Sequence, residues 1–167
     1  GREDVPVVAG IETALGVADA RLTLAHPAVG AAYFGAEDFI ADMGGVRTAS
    51  NHEVHMARSQ VALAARLADV PALDQVVADF RDGDRSRREG EEARAMGFGG
   101  KLCIHPSQVI IANDVFTPSP EDLDRAHRLL EAYERASAEG LAAIDFEGEM
   151  VDEPVARQAR RLLSLAD

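Results

Sequence analysis

Short apolar runs rich in β-branched residues alternate with longer stretches of helical period, an order that commits the chain to β/α units around a parallel sheet. Val5 to Ile11 is the first strand, followed by a helix from about Thr13 to Leu24. Val29 to Gly35 is the second, and its helix comes late. Ser50 and Glu53 form a capping box ahead of Val54, Ala57, Val61, Ala64 and Ala68, which recur at helical spacing. Val70 to Val76 is the third strand. A polar loop leads from it to a second capping box, Ser86 with Glu89, and to a helix that Gly97, Gly99 and Gly100 end beyond Met96. The fourth strand, Lys101 to Ile104, runs into His105-Pro106 and a short helix to about Asp114.

The pattern then changes. Ser119 caps a helix begun by Pro120, with Leu123, Ala126, Leu129, Leu130 and Tyr133 on one stripe. A small hairpin follows around Glu147-Gly148, and Asp152 with Pro154 opens a last helix to about Leu165. Residues 1–116 therefore read as a partial β/α barrel of four units and residues 117–167 as a C-terminal helical extension of helix, hairpin and helix. A closed (β/α)8 barrel needs about 250 residues, so four units would leave two strand edges open. An upstream segment is the expected completion, ahead of a partner half or a pairing of two copies, because the sequence begins almost at the first residue of a strand.

Composition narrows the partners. Seventeen basic against 29 acidic residues give a formal charge of −12, which repels nucleic acid and anionic membrane surfaces. The single cysteine, Cys103, excludes an intrachain disulfide framework, and no apolar run has the length of a membrane span, so a cytoplasmic location is expected.

In a β/α barrel the strand C-termini face the active site. The first strand ends at Ile11-Glu12-Thr13 and the second at Phe34-Gly35-Ala36-Glu37-Asp38, which sets acids on one rim from adjacent strands. Magnesium accepts that arrangement, since it takes oxygen ligands and often only one or two carboxylates. Spacing alone leaves open that each acid caps the next helix or pairs with a basic neighbour.

Six segments in order, GIETALGV, FGAEDFIADMG, MARSQVALAARLADVPALD, MGFGGKLCIHPSQV, FTPSPEDLDRAHRLLEAYE and GEMVDEPV, resemble the citrate lyase beta-subunit family and its malyl-CoA and citramalyl-CoA lyase relatives, within the HpcH/HpaI aldolase superfamily. The resemblance spans nearly the whole chain. It implies the C-terminal half of a TIM barrel, with Glu12 and Asp38 holding Mg2+ and the metal holding a 2-oxo acid. It implies an acyl thioester, on coenzyme A or on a carrier protein, whose pantetheine arm passes the backbone of Ile104, His105 and Pro106. It also implies that residues 117–167 act as a lid, with Asp152 as an acid or base in the site of a neighbouring subunit. A homo-oligomer, with a trimer as the expected count, follows from that sharing. The family's acidic strand and its arginine for the 2-oxo acid belong to barrel strands outside these residues.

The remaining charged groups have plainer readings. Glu37 is left outside the metal shell, because neighbouring residues leaving a strand point to opposite faces. His105 positions its loop, Cys103 is a small core residue, and Lys101 carries no sign of Schiff-base chemistry. His52 and His55 face solvent, Arg81 to Arg88 is a solvated loop or a clamp for the anionic tail of coenzyme A, and Arg58 joins a surface or subunit salt bridge. The function expected is a magnesium-dependent carbon–carbon lyase cleaving or forming a citryl-, malyl- or citramalyl-type 3-hydroxyacyl thioester. The alternatives are a metal-dependent aldolase on free hydroxy-oxo acids and a non-catalytic truncated or scaffolding subunit.

Overall fold

Small and apolar residues let β1 (Val7–Ile11) lie beside β2 (Val29–Phe34), parallel and paired from Val8 opposite Ala31 to Ile11 opposite Phe34. In the computed structural model, which describes residues 5–165, β3 (Ala72–Asp74) and β4 (Gly100–Lys101) extend this sheet in the order β1-β2-β3-β4, all parallel. The fold is α/β. The third and fourth strands are shorter than the apolar runs suggest, because Gln75 and Leu102 already leave the ladder and Ile104 stands exposed.

The expected helix from Thr13 is two short ones, α1 (Ala14–Ala18) and α2 (Ala20–Leu24), broken where Asp19 takes φ −99° and ψ 10°. A further helix, α3 (Ala36–Met43), starts directly behind β2 and ends at Gly44 with φ 68°. It corrects the reading of Glu37 and Asp38 as residues leaving a strand. They diverge because they occupy successive positions of a helix's first turn.

Both early capping boxes are also corrected. α4 (His52–Ala68) begins after Asn51 in the left-handed region, and Glu53 instead accepts from the Thr48 amide and hydroxyl and from Arg47. Its carboxylate finds a charge-assisted bond that a neutral cap lacks. α5 (Gly83–Met96) begins at Asp82, whose carboxylate accepts from the Arg85 amide at 2.9 Å. That cap precedes Ser86 and draws most of the supposed Arg81 to Arg88 loop into a helix, burying Ser86 and Glu89 inside it. α6 (Pro106–Phe116) follows β4.

Ile11, Phe34, Ala32 and Ala72 of the sheet meet Leu24, Val54, Ala57 and Val61 of the helices in one buried cluster. Phe34 and Phe39 tilt together at 5.5 Å between centroids. Each large side chain buried here contributes about 1.5–3 kcal/mol.

A unit boundary falls between Phe116 and Thr117. Beyond it lie α7 (Pro120–Ala138), the antiparallel pair β5 (Ala143–Phe146) and β6 (Glu149–Asp152), and α8 (Glu153–Leu163). Ser119 and Asp122 form a true capping box, and Glu147 (φ 55°) with Gly148 (φ 84°) makes the tight turn. Leu129, Leu130 and Tyr133 pack on Val151, Ala156 and Ala159 as this unit's own core. Among the described residues no helix is long and apolar enough to cross a membrane.

Candidate active site

The strand ends bring Glu12, Tyr33, Gly35 and Asp38 to one corner of the sheet. Period-two alternation puts Gly10 and Glu12 of the first strand on the same face as Tyr33 and Gly35 of the second, opposite the face that Ile11 and Phe34 bury. Gly35 leaves room for Glu12: a Cβ there would lie 2.6 Å from Glu12 Cγ and 2.7 Å from Oε1. Gly10 does the same for Tyr33, since a Cβ there would lie 2.5 Å from the phenol oxygen. Two missing methyl groups thus open two seats, one for a carboxylate and one for a phenol.

Asp38 joins from the first turn of α3, where the helix N-terminus favours an anion. A hydrogen bond to Glu12, then burial, then the charges of Glu12 and Asp38 raise the Tyr33 phenol pKa. Among the described residues no group of three or more His, Cys, Asp or Glu side chains is arranged around one point. Glu12 and Asp38 offer two hard oxygen donors, a set that fits an ion keeping most of its positions for water and substrate.

Glu37 diverges from Asp38 to meet Arg47, whose Nε donates at 3.0 Å. Arg47 also donates to Glu53, to Asn51 at 3.0 Å and to Gln75 at 3.2 Å, tying the α3–α4 connection to the end of β3.

At the end of β4, Ile104 is exposed and its amide donates to Gln108 Oε1 at 2.9 Å. His105 stacks on Phe80 with centroids 4.5 Å apart, and its Nδ1 accepts from the Ser107 amide at 3.2 Å and meets the Ser107 hydroxyl at 2.8 Å. Pro106 opens α6. Those contacts hold the loop. Cys103 is half-buried, not a core residue, and burial raises its thiol pKa against the opposing charge of Lys101. Asp152 belongs to the second unit, where its carboxylate accepts from the Val155 amide at 3.4 Å and caps α8. His52 and His55 are exposed.

The sequence reading missed a buried charged layer beside the rim. Arg58 is 1% exposed and grips Asp74, 0% exposed, through Nε at 2.9 Å and a terminal nitrogen at 3.0 Å. Lys101 Nζ lies 3.1 Å from the same carboxylate and 3.6 Å from Glu89. Glu89 also takes Arg85 Nε at 2.6 Å and the Gln75 amide at 3.3 Å. Burial raises its pKa, but Arg85, Asn51 and Lys101 together bring it below the ordinary value. This overturns the surface assignment of Arg58. Two signals could have found it: Arg58 lies on the Val54, Val61, Ala65 stripe of α4, and Asp74 interrupts an otherwise apolar strand.

Residues 1–106 match the family described as HpcH/HpaI aldolase/citrate lyase. The citrate lyase subunit beta-like protein of Deinococcus radiodurans is 51% identical over 160 residues, covering 96% of this chain and 56% of that protein. The mitochondrial citramalyl-CoA lyase of Mus musculus is 36% identical over 165 residues, covering 93% of this chain and 49% of the relative. The crystal structure of CitE from Mycobacterium tuberculosis in complex with magnesium, acetoacetate and coenzyme A superposes with a TM-score of 0.83 at 36% identity, covering 98% of this chain and 62% of that one. The chain spans about half the length of the curated relatives it matches.

Proposed function

Because the chain belongs to the HpcH/HpaI aldolase/citrate lyase family, we propose that the protein carrying it is a magnesium-dependent carbon–carbon lyase. Its substrate is a 3-hydroxyacyl thioester of the citryl, malyl or citramalyl type, and its products are a 2-oxo acid and an acyl thioester. The relatives support the class: one is named a citramalyl-CoA lyase, and the solved CitE binds magnesium and coenzyme A. The four parallel β/α units are half of a (β/α)8 barrel, whose active sites lie at the strand C-termini. The observation that carries the proposal is the seat at that end, with Glu12 over Gly35 and Asp38 in the first turn of the helix directly behind β2.

Glu12 and Asp38 are the residues that would hold Mg2+, and the ion would supply positive charge to the oxygen of the 2-oxo acid. The backbone of Ile104 to Pro106 lines the path of the thioester arm, fixed by the His105–Phe80 stack and the Ser107 contacts. Asp152 of a neighbouring copy takes the proton from the 3-hydroxyl as the carbon–carbon bond breaks, then returns it to the α-carbon of the acyl thioester. That one transfer balances the cleavage. A shared lid makes the protein a homo-oligomer, a trimer by our proposal, working in the cytoplasm.

The test is an assay of the full polypeptide on malyl-, citramalyl- and citryl-CoA beside the matching free hydroxy acids, with Mg2+ and with EDTA. Glu12→Gln and Asp38→Asn should each lower kcat/KM for one thioester by ~100-fold or more, and EDTA should do the same. Cleavage of the free acids alone would make the protein an aldolase. Failure to bind Mg2+ at all would leave a scaffold.

A further inference from the structure

We propose that Asp42 is a positioning residue, which sets the spacing between the Glu12 and Asp38 carboxylates by tying α3 to the turn between β1 and α1. The inference deepens the lyase reading and rests on Glu12 and Asp38 being the metal ligands. Two hydrogen bonds carry it. The Gly35 amide donates to the Ile11 carbonyl at 3.1 Å, and the Ala14 amide donates to Asp42 Oδ2 at 2.7 Å. Together they close a small ring. Ile11 to Ala14 form one side of it and Gly35 to Asp42 the other, so Glu12 sits between the two bonds on the first side and Asp38 on the second.

The remaining contacts of α3 leave one motion for this ring to block. Phe39 and Ile40 are buried in the core, and Arg47 holds Glu37 at 3.0 Å, so the helix stays on the sheet. It is still able to pivot about the Ile11–Gly35 bond. Asp42 lies one turn beyond Asp38 on the same face of α3, and its bond to Ala14 opposes that pivot. A carboxylate accepting from an amide makes a charge-assisted bond, roughly twice as strong as a neutral one.

Capping of α1 does not by itself account for the bond. Thr13 already accepts from the Gly16 amide at 3.0 Å, and water is able to satisfy the other free amides of a first turn. Asp42 instead reaches Ala14 from 28 positions along the chain. What it adds is a link between the segment that carries Glu12 and the helix that carries Asp38. Mg2+ tolerates little departure from octahedral geometry, so a fixed ligand spacing strengthens its binding.

Mg2+ alone, titrated into the full polypeptide by calorimetry, is the probe. Asp42→Ala removes both the link and a negative charge, whereas Asp42→Asn removes the charge and keeps an oxygen that accepts from Ala14. Affinity should fall by ~10-fold in Asp42→Ala and stay within ~3-fold of the parent in Asp42→Asn. Asp42→Ser, whose oxygen stops one bond short, should match Asp42→Ala. In EDTA, hydrogen exchange at the Ala14 amide should quicken in Asp42→Ala, with circular dichroism showing each variant folded. Affinity within about two-fold of the parent in Asp42→Ala, equal losses in the Ala and Asn variants, or unchanged exchange at Ala14 would each overturn the positioning role. Glu12→Gln separates the two claims. If that variant loses Mg2+ while Asp42→Ala keeps it, only the role of Asp42 fails; if the parent binds no Mg2+, the lyase reading and this inference fail together.

Discussion

Asp74 has no exposed surface and two cationic partners, Arg58 and Lys101, so it is the residue whose loss leaves the most uncompensated charge. Removing one member of such a buried set costs about 3–5 kcal/mol. Asp74→Asn should shift the urea midpoint down accordingly, whereas replacing Arg58 and Asp74 together by apolar residues of similar volume should recover much of the loss. Glu53 gives a prediction in pH. Burial alone would raise its pKa, but hydrogen bonds from Thr48 and the charge of Arg47 prevail and lower it from 4.5 to about 2. A folded-state pKa below the unfolded one means the contribution is fully present above pH 4.5 and is lost as pH falls toward 2. Glu53→Gln should flatten that part of the stability profile, measured by denaturant titration at successive pH values. At this scale the sequence was readable where an acid follows a strand, as with Glu12 behind β1. It was less readable where a charge is buried, because the partners of Asp74 lie 16 and 27 residues away and only folding brings them together.

Among the elements, α7 has the most complete start signal: Ser119 accepts from the Asp122 amide at 3.0 Å, Asp122 reaches back to the Ser119 amide, and Pro120 supplies a preset φ. Ser119→Ala should cost about 1 kcal/mol, read as a lower melting midpoint by circular dichroism. The hairpin was equally legible, since Glu147-Gly148 is a two-residue turn that needs positive φ at both positions. The earlier helices were not. Ser50 and Ser86 match the capping pattern by residue type, yet Arg47 competes for Glu53 and Asp82 caps four residues ahead of Ser86. The short α3 hid inside what looked like a strand end, because the chain passes from β2 into the helix across the single residue Gly35. Parallel strands as brief as β4 carry little periodicity to read, so their limits come from the ladder and not from composition.

For the molecule as a whole, the order of units was visible in the alternation of apolar runs, and six ordered motifs carry the family likeness. Assembly was not visible in the same way, since a lid shared between copies is implied only by resemblance. Light scattering on the full polypeptide should give three times the mass of one subunit if the proposed trimer is right, and a mass of one subunit would remove the shared-lid role of Asp152. The charged layer around Asp74 links the ends of β3 and β4 to α4 and α5. Ions lose less by leaving water as temperature rises, while the gain from burying hydrocarbon levels off. On warming, this salt-rich seam becomes relatively firmer than the alanine-lined packing around it, so the ends of β3 and β4 should stay joined to α4 and α5 after helices outside the seam have begun to fray.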